Sequence, residues 1–131
     1  MNKIVKGLMI AGTLGASLMA FTRSADGKDK DGYIVIVIDP GHGGEDPGSL
    51  ATTGATESKC NYAIAEVMKK ELSKYDGVKV YLTREEDTWM TNMGRAMIAA
   101  DLNADFLISI HNNSGSDTNT GALAFRSLIS Y

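Results

Sequence analysis

Tyr33-Ile-Val-Ile-Val-Ile38 is an unbroken run of apolar, largely β-branched residues, the composition of a strand buried on both faces of a parallel sheet. It stops at Asp39-Pro40-Gly41. From Thr56 the apolar spacing becomes helical: Cys60, Ala63, Ile64, Val67, Met68, Leu72 and Tyr75 fall on one stripe, with Lys69, Lys70 and Lys74 outside it. The stripe predicts the buried side, with Cys60 as core rather than nucleophile. Thr56 is placed to cap the helix and Gly77 to end it. Val78 to Thr83 predicts a second strand, and a second helix over roughly Thr91 to Asn103 is expected to bury Met93, Ala96, Met97 and Ala100. Asp105 to Ile110 predicts a third strand, ending at His111-Asn112-Asn113. Beyond a loop of Ser, Gly, Asp, Thr and Asn, Ala122 to Arg126 begins a fourth.

Strand, helix, strand, helix, strand predicts an α/β fold with an open, mainly parallel twisted sheet and flanking helices, joined by right-handed crossovers. No helix follows the last strand before Tyr131, so the fold is expected to be incomplete at its C-terminus. There is no internal repeat.

The start of the chain reads differently. Lys3 and Lys6 precede an apolar run from Leu8 to Phe21, the pattern of a Sec-type signal and too short for a comfortable membrane span. Ala20 suits the last position before cleavage, whereas Leu18 is large where a small residue is preferred, so an uncleaved membrane anchor is the alternative. No cysteine lies near enough for a lipoprotein anchor. Thr22 to Gly32 is polar and charged without periodicity and reads as a tether. Residues 1–32 are therefore expected to be signal peptide or anchor plus tether, and the protein to work exported, in the cell envelope or outside the cell.

With 131 residues, the chain holds one small domain. A net charge of -3 and dispersed basic residues argue against nucleic-acid binding. Cys60 is the only cysteine, so no internal disulfide can form and a metal is the remaining candidate for a staple. A monomer is expected.

In open α/β sheets, ligands collect at the carboxyl ends of the strands. Both histidines fall there: His42 four residues after the first strand and His111 directly after the third. Either alone reads as a surface loop residue; together at one sheet edge they suggest a shared site. Two imidazoles, one carboxylate and a position open to water form a catalytic zinc set, and Glu57, opening the first helix, is the natural third member. Taken alone, Glu57 is better explained as a first-turn glutamate favoured by the helix dipole, with no metal needed.

Asp39-Pro40-Gly41-His42-Gly43-Gly44 with Asp46-Pro47-Gly48, then Glu57, Leu82-Thr83-Arg84 and Ser109-Ile110-His111-Asn112-Asn113 resemble the zinc-dependent N-acetylmuramoyl-L-alanine amidases, from Tyr33 to about Phe125. The resemblance implies that residues 33–131 are the N-terminal part of a zinc amidase catalytic domain, with zinc held by His42, Glu57 and His111. It implies a peptidoglycan or muropeptide substrate, cut between N-acetylmuramic acid and L-alanine. Gly41, Gly43 and Gly44 would turn the backbone around His42, and Asp39 would either accept from a ligand histidine or cap its loop. Arg84 and Arg95 match recurrent family positions and are expected to be structural. Trp89, with Met90 and Met93, reads as packing over the second helix rather than a substrate platform, and Glu85-Glu86-Asp87 as a solvated turn.

The family draws its general base from a glutamate on a later strand, and no Glu follows Glu86 here. That glutamate is expected beyond Tyr131, so no catalytic residue other than the metal ligands is expected within the chain, and substitutes would have to come from Glu45, Asp46 or Asp117. Two alternatives follow: an inactive truncated module that binds zinc and peptidoglycan, and a related zinc carboxypeptidase or deacylase acting on another amide.

Overall fold

The computed structural model describes residues 16–22, 31–112 and 123–126. Its strands are β1 (Ala16–Thr22), β2 (Ile34–Pro40), β3 (Val78–Leu82), β4 (Phe106–Asn112) and β5 (Leu123–Arg126), with helices α1 (Glu57–Leu72) and α2 (Asn92–Asp101). The sheet order is β3-β2-β4-β1-β5. β2 runs parallel to both β3 and β4, and β1 lies antiparallel to β4 and parallel to β5. The expected open, mainly parallel α/β sheet is therefore present. The central position of β2 explains its β-branched run, since Val35, Val37 and Ile38 are all buried. Pairing continues to Pro40 opposite Ile110, two residues beyond the expected end.

One face of the sheet is covered by α1. Ala65, Met68 and Leu72 pack with Ile36, Ile38, Val80, Leu82 and Ile110. Only Met68 and Leu72 belong to the stripe counted from the sequence. The helix is rotated so that Glu57, Ser58, Asn61 and Ala65 are its buried residues. Ile64, Val67 and Tyr75 are left exposed, and Cys60 is exposed rather than core. Thr56 is the N-cap, without a side-chain capping bond. Gly77 does not end the helix: Ser73 is the C-cap, and Gly77 turns the chain into β3.

The second helix is corrected in the same way. Thr91 caps it, its side chain accepting from the Gly94 N–H at 3.0 Å. Its one fully buried residue is Arg95, and the expected inward set, Met93, Ala96, Met97 and Ala100, faces solvent. The inward positions are Gly94, Arg95, Ile98 and Ala99. A buried cation with work at the end of β2 sets the rotation of this helix, over the preference of its methionines.

The apolar run read as a signal overlaps the sheet. Its last residues belong to β1, where Ser17 stands opposite His111 and Ala16 opposite Asn112. The rest of that run, and residues 113–122, which hold most of the expected loop, lie outside the described residues. Among the described residues no helix is long and apolar enough to cross a membrane.

Candidate metal centre

The chain leaves β2 through Pro40, Gly41 and His42, whose carbonyls emerge at the carboxyl edge of the sheet. A pair of buried guanidiniums takes them. Pro40 O accepts from Arg84 Nε at 2.8 Å and Arg95 Nη1 at 2.9 Å. Gly41 O accepts from Arg84 Nη2 and Asn61 Nδ2, both at 3.1 Å, and His42 O accepts from Arg95 Nη2 at 2.8 Å. Burial and the neighbouring Arg95 both lower the pKa of Arg84. Asp39 offsets the charge: its Oδ1 receives Arg95 Nη1 at 2.8 Å and Thr83 Oγ1 at 2.6 Å, and its Oδ2 receives Ser109 Oγ at 2.8 Å. Asp39 is thus committed to Arg95 and two hydroxyls, and the reading of it as a histidine's acceptor is corrected. Arg84 and Arg95 hold backbone, as expected of structural residues.

His42 sits at φ 62°, a left-handed conformation that costs a non-glycine residue about 1 kcal/mol or more and collects at functional sites. A tight turn follows, closed by Gly43 N to Asp46 O at 2.8 Å and Asp46 N to Gly43 O at 3.1 Å. It returns Asp46 to the His42 ring, where Oδ2 meets Nδ1 at 2.9 Å while Oδ1 accepts from the Gly48 N–H at 3.1 Å. The hydrogen bond from His42, then that from Gly48, hold the Asp46 carboxyl below the usual carboxylate range. With Nδ1 engaged, Nε2 points into the site. Gly48 is required here: at φ 64° it passes so close that a Cβ would lie 2.6 Å from His42 Cδ2 and 2.9 Å from Glu57 Cβ.

Glu57, the first residue of α1, enters from the other side. Its Oε1 lies 3.2 Å from His42 Nε2 and 3.1 Å from His111 Nδ1. The same oxygen accepts from the Asn112 N–H at 3.0 Å, and Oε2 accepts from the Ser49 N–H at 3.0 Å. The side chain is 6% exposed. Burial opposes its ionisation, but the hydrogen bond from Ser49 and the two histidines outweigh it and hold the carboxyl at about 2. The imidazoles stand edge to face, centroids 4.9 Å apart. His111 leaves the end of β4, and Asn61, wholly buried, ties that end to the His42 loop: its Oδ1 accepts from Asn112 Nδ2 at 2.7 Å while its own Nδ2 reaches Gly41 O.

His42, Glu57 and His111 therefore offer donor atoms that all lie within 4.8 Å of one another. Two neutral-capable imidazoles and a carboxylate held ionised are the donor set that zinc prefers, so the residues fit that ion. Asp46 and Asn61 support the set and were not recognised in that role from the sequence. Asp46 could have been: four residues after His42 in a Gly-rich turn, it had to come back to the ring. Asn61 carried one signal, an amide one helical turn after Glu57. Of the substitute proton carriers, Asp46 is engaged by His42, Glu45 is exposed, and Asp117 lies outside the described residues. The Glu85-Glu86-Asp87 side chains are solvated as expected, although Arg84 Nη1 grips the carbonyls of Glu85 and Glu86 at 3.0 and 2.6 Å.

The sequence profile of a family described as N-acetylmuramoyl-L-alanine amidase matches residues 36–128. A sporulation-specific N-acetylmuramoyl-L-alanine amidase of Bacillus subtilis is 40% identical over 86 residues, 65% of this chain and 33% of that protein. The N-acetylmuramoyl-L-alanine amidase AmiC of Neisseria meningitidis is 35% identical over 103 residues, 78% of this chain and 24% of its own length. Among solved structures, an N-acetylmuramoyl-L-alanine amidase of Clostridium difficile superposes with a TM-score of 0.64 at 36% identity, covering 69% of this chain and 49% of that one. The catalytic domain of CwlV from Bacillus (Paenibacillus) polymyxa gives 0.63 at 35% identity, with 66% and 49% covered. This chain thus spans about half of those solved chains and a third or less of the two sequence relatives.

Proposed function

Since the chain belongs to the N-acetylmuramoyl-L-alanine amidase family, we propose that it carries the zinc-binding half of a peptidoglycan amidase, acting outside the cytoplasmic membrane on the bond between N-acetylmuramic acid and L-alanine. The observation that carries the reading is the meeting of His42, Glu57 and His111 around one point at the carboxyl edge of the sheet. Zinc, when bound there, supplies the Lewis acidity that polarises an amide carbonyl and activates water. The residues of the chain prepare that site. Asp46 fixes the tautomer and direction of the His42 ring, Ser49 and the two histidines keep Glu57 ionised, and the two guanidiniums hold the loop that carries His42.

Proton transfer to the leaving amine is the weak point. Among the described residues, no carboxylate beside the site is free, because Asp46 is spent on His42 and Gly48. That favours a second reading, in which this chain by itself binds zinc and muropeptides without efficient turnover, since general acid–base help contributes about 10²–10⁴-fold. The two are separated by one experiment on the purified chain: zinc content by elemental analysis, alongside release of new L-alanine amino termini from purified walls. Zinc with turnover supports the amidase, zinc with retention on walls but no turnover supports the binding module, and full zinc in His111→Ala would refute the ligand assignment. Export is proposed from the Lys3 and Lys6 segment and its apolar run. Cleavage after Ala20 would remove most of β1 and free the edge of β4, so the mature N-terminus, read by mass spectrometry, decides whether β1 persists.

A further inference from the structure

Trp89 keeps 52% of its surface in water. Its backbone is nevertheless closely packed against the turn that follows His42. Gly44, two residues after His42, approaches so near that a Cβ there would lie 2.7 Å from Trp89 N and 2.9 Å from its Cβ. The stretch leading to it is fixed by Arg84 on the carbonyls of Glu85 and Glu86, and the residue after it by Arg95 Nε on Met90 O at 3.2 Å. An indole on a loose loop would be exposed by default. This one is held out from a fixed base, leaving in water apolar area whose burial would be favourable. Met93 and Met97, one turn apart on the following helix α2, are also exposed, at 70% and 55%, and exposed apolar groups of this kind mark contact surfaces.

The chemistry of the patch selects its ligand. An acidic stem peptide would call for a free cation, but Arg84 and Arg95, behind this rim, are 4% and 6% exposed and spent on backbone carbonyls and Asp39. A broad aromatic face with a negative quadrupole instead complements the C–H face of a pyranose ring. The geometry points to Trp89 as a stacking platform for the glycan strand beside the metal centre, so that this chain grips its substrate by the sugar backbone as well as by the amide. The inference rests on the amidase reading for its choice of glycan. The sequence pattern alone favoured packing for Trp89; the half of its surface left in water is what opens the platform reading.

Trp89 is the only tryptophan of the chain, so its emission reports this site alone. The full chain is titrated with a peptide-free oligomer of alternating N-acetylglucosamine and N-acetylmuramic acid, and separately with a free stem peptide beginning in L-alanine. The glycan is expected to give a saturable blue shift and the peptide none. By calorimetry, Trp89→Ala should bind the glycan about tenfold more weakly, within the range of an aromatic stacking contact, while Trp89→Tyr recovers most of the loss and zinc content stays constant in all three proteins. No shift with glycan, a shift with peptide only, undiminished binding by Trp89→Ala, or a shift that follows protein concentration alone, as a second copy on this face would give, each overturns the platform. A chain that takes up no zinc yet still shows the glycan shift would refute the amidase reading and leave the platform standing.

Discussion

Replacing Asp46 by alanine tests the site at its most economical point. The carboxylate touches His42 Nδ1 at 2.9 Å and the Gly48 N–H at 3.1 Å, and its side chain is 47% exposed. Losing such an exposed group should change the stability of the metal-free fold by about 0.5 kcal/mol or less. Its effect on zinc should be much larger. With Nδ1 unbound, the ring can rotate and the tautomer that presents Nε2 is no longer selected, and losing an outer partner of a ligand histidine typically weakens metal affinity about 10–100-fold. That is about 1.4–2.7 kcal/mol. Asp46→Asn keeps an oxygen acceptor without the charge and should fall between Asp46→Ala and the native protein. Competition with a calibrated chelator gives the three affinities, and thermal unfolding in excess chelator gives the stability of the metal-free forms. If Asp46→Ala bound zinc as tightly as the native chain, the carboxylate would not be orienting His42 toward an ion. A drop in metal-free stability matching the drop in affinity would make Asp46 a loop staple only.

Asp39→Asn preserves shape but leaves Arg95 buried without its counter-charge, which should cost about 3 kcal/mol in urea unfolding; a cost within experimental error would show that the carbonyl partners of Arg95 suffice. Gly48→Ala meets both a left-handed φ and the His42 ring, so zinc stoichiometry should fall while helix content measured by circular dichroism holds, and an unchanged zinc content would contradict the packing described. Acid should also reveal Glu57. Its folded pKa is lowered from 4.5 to about 2, so in the metal-free protein its contribution is complete above pH 4.5 and disappears as the pH falls through 2, a difference of roughly 3 kcal/mol. Glu57→Gln should flatten the urea midpoint across that window, and a native-like slope in the variant would assign the acid sensitivity elsewhere.

The strands were legible because their signal is composition. Ile34 to Ile38 is β-branched throughout, and no helical face could absorb it. That His42, Glu57 and His111 meet was also legible, since all lie at carboxyl ends or at the helix start that faces them. The helix faces were not. Counting apolar residues placed Cys60, Ile64 and Val67 inward, yet the sheet edge needed Glu57 for the histidines and Asn61 for Gly41 O and Asn112, and these fix the rotation of α1. The same argument holds for α2, where Arg95 displaces Met93 and Met97 from the inward side. Periodicity assumes that the inward face is apolar, and it fails where polar side chains are drawn inward by a site. The pairing of β1 with β4 was illegible for another reason: an apolar segment after two lysines looks the same whether destined for a membrane or for a sheet edge.

The different roles of Asp39 and Asp46 show what the meeting of His42, Glu57 and His111 demands of its scaffold. Around a histidine presented from a loop at positive φ, three successive carbonyls, those of Pro40, Gly41 and His42, are met by side-chain donors. A buried carbonyl left unpaired costs about 1–3 kcal/mol. Neutral side chains offer one or two donors each, whereas a guanidinium carries five in a fixed fork. Arg84 uses its three nitrogens on five carbonyls, those of Pro40, Gly41, Ser58, Glu85 and Glu86. Burying two such cations requires a buried anion, and Asp39, at the end of the central strand, is that anion. It is therefore unavailable to the histidines, and the acceptor for His42 has to come from its own turn, four residues on, where Asp46 stands.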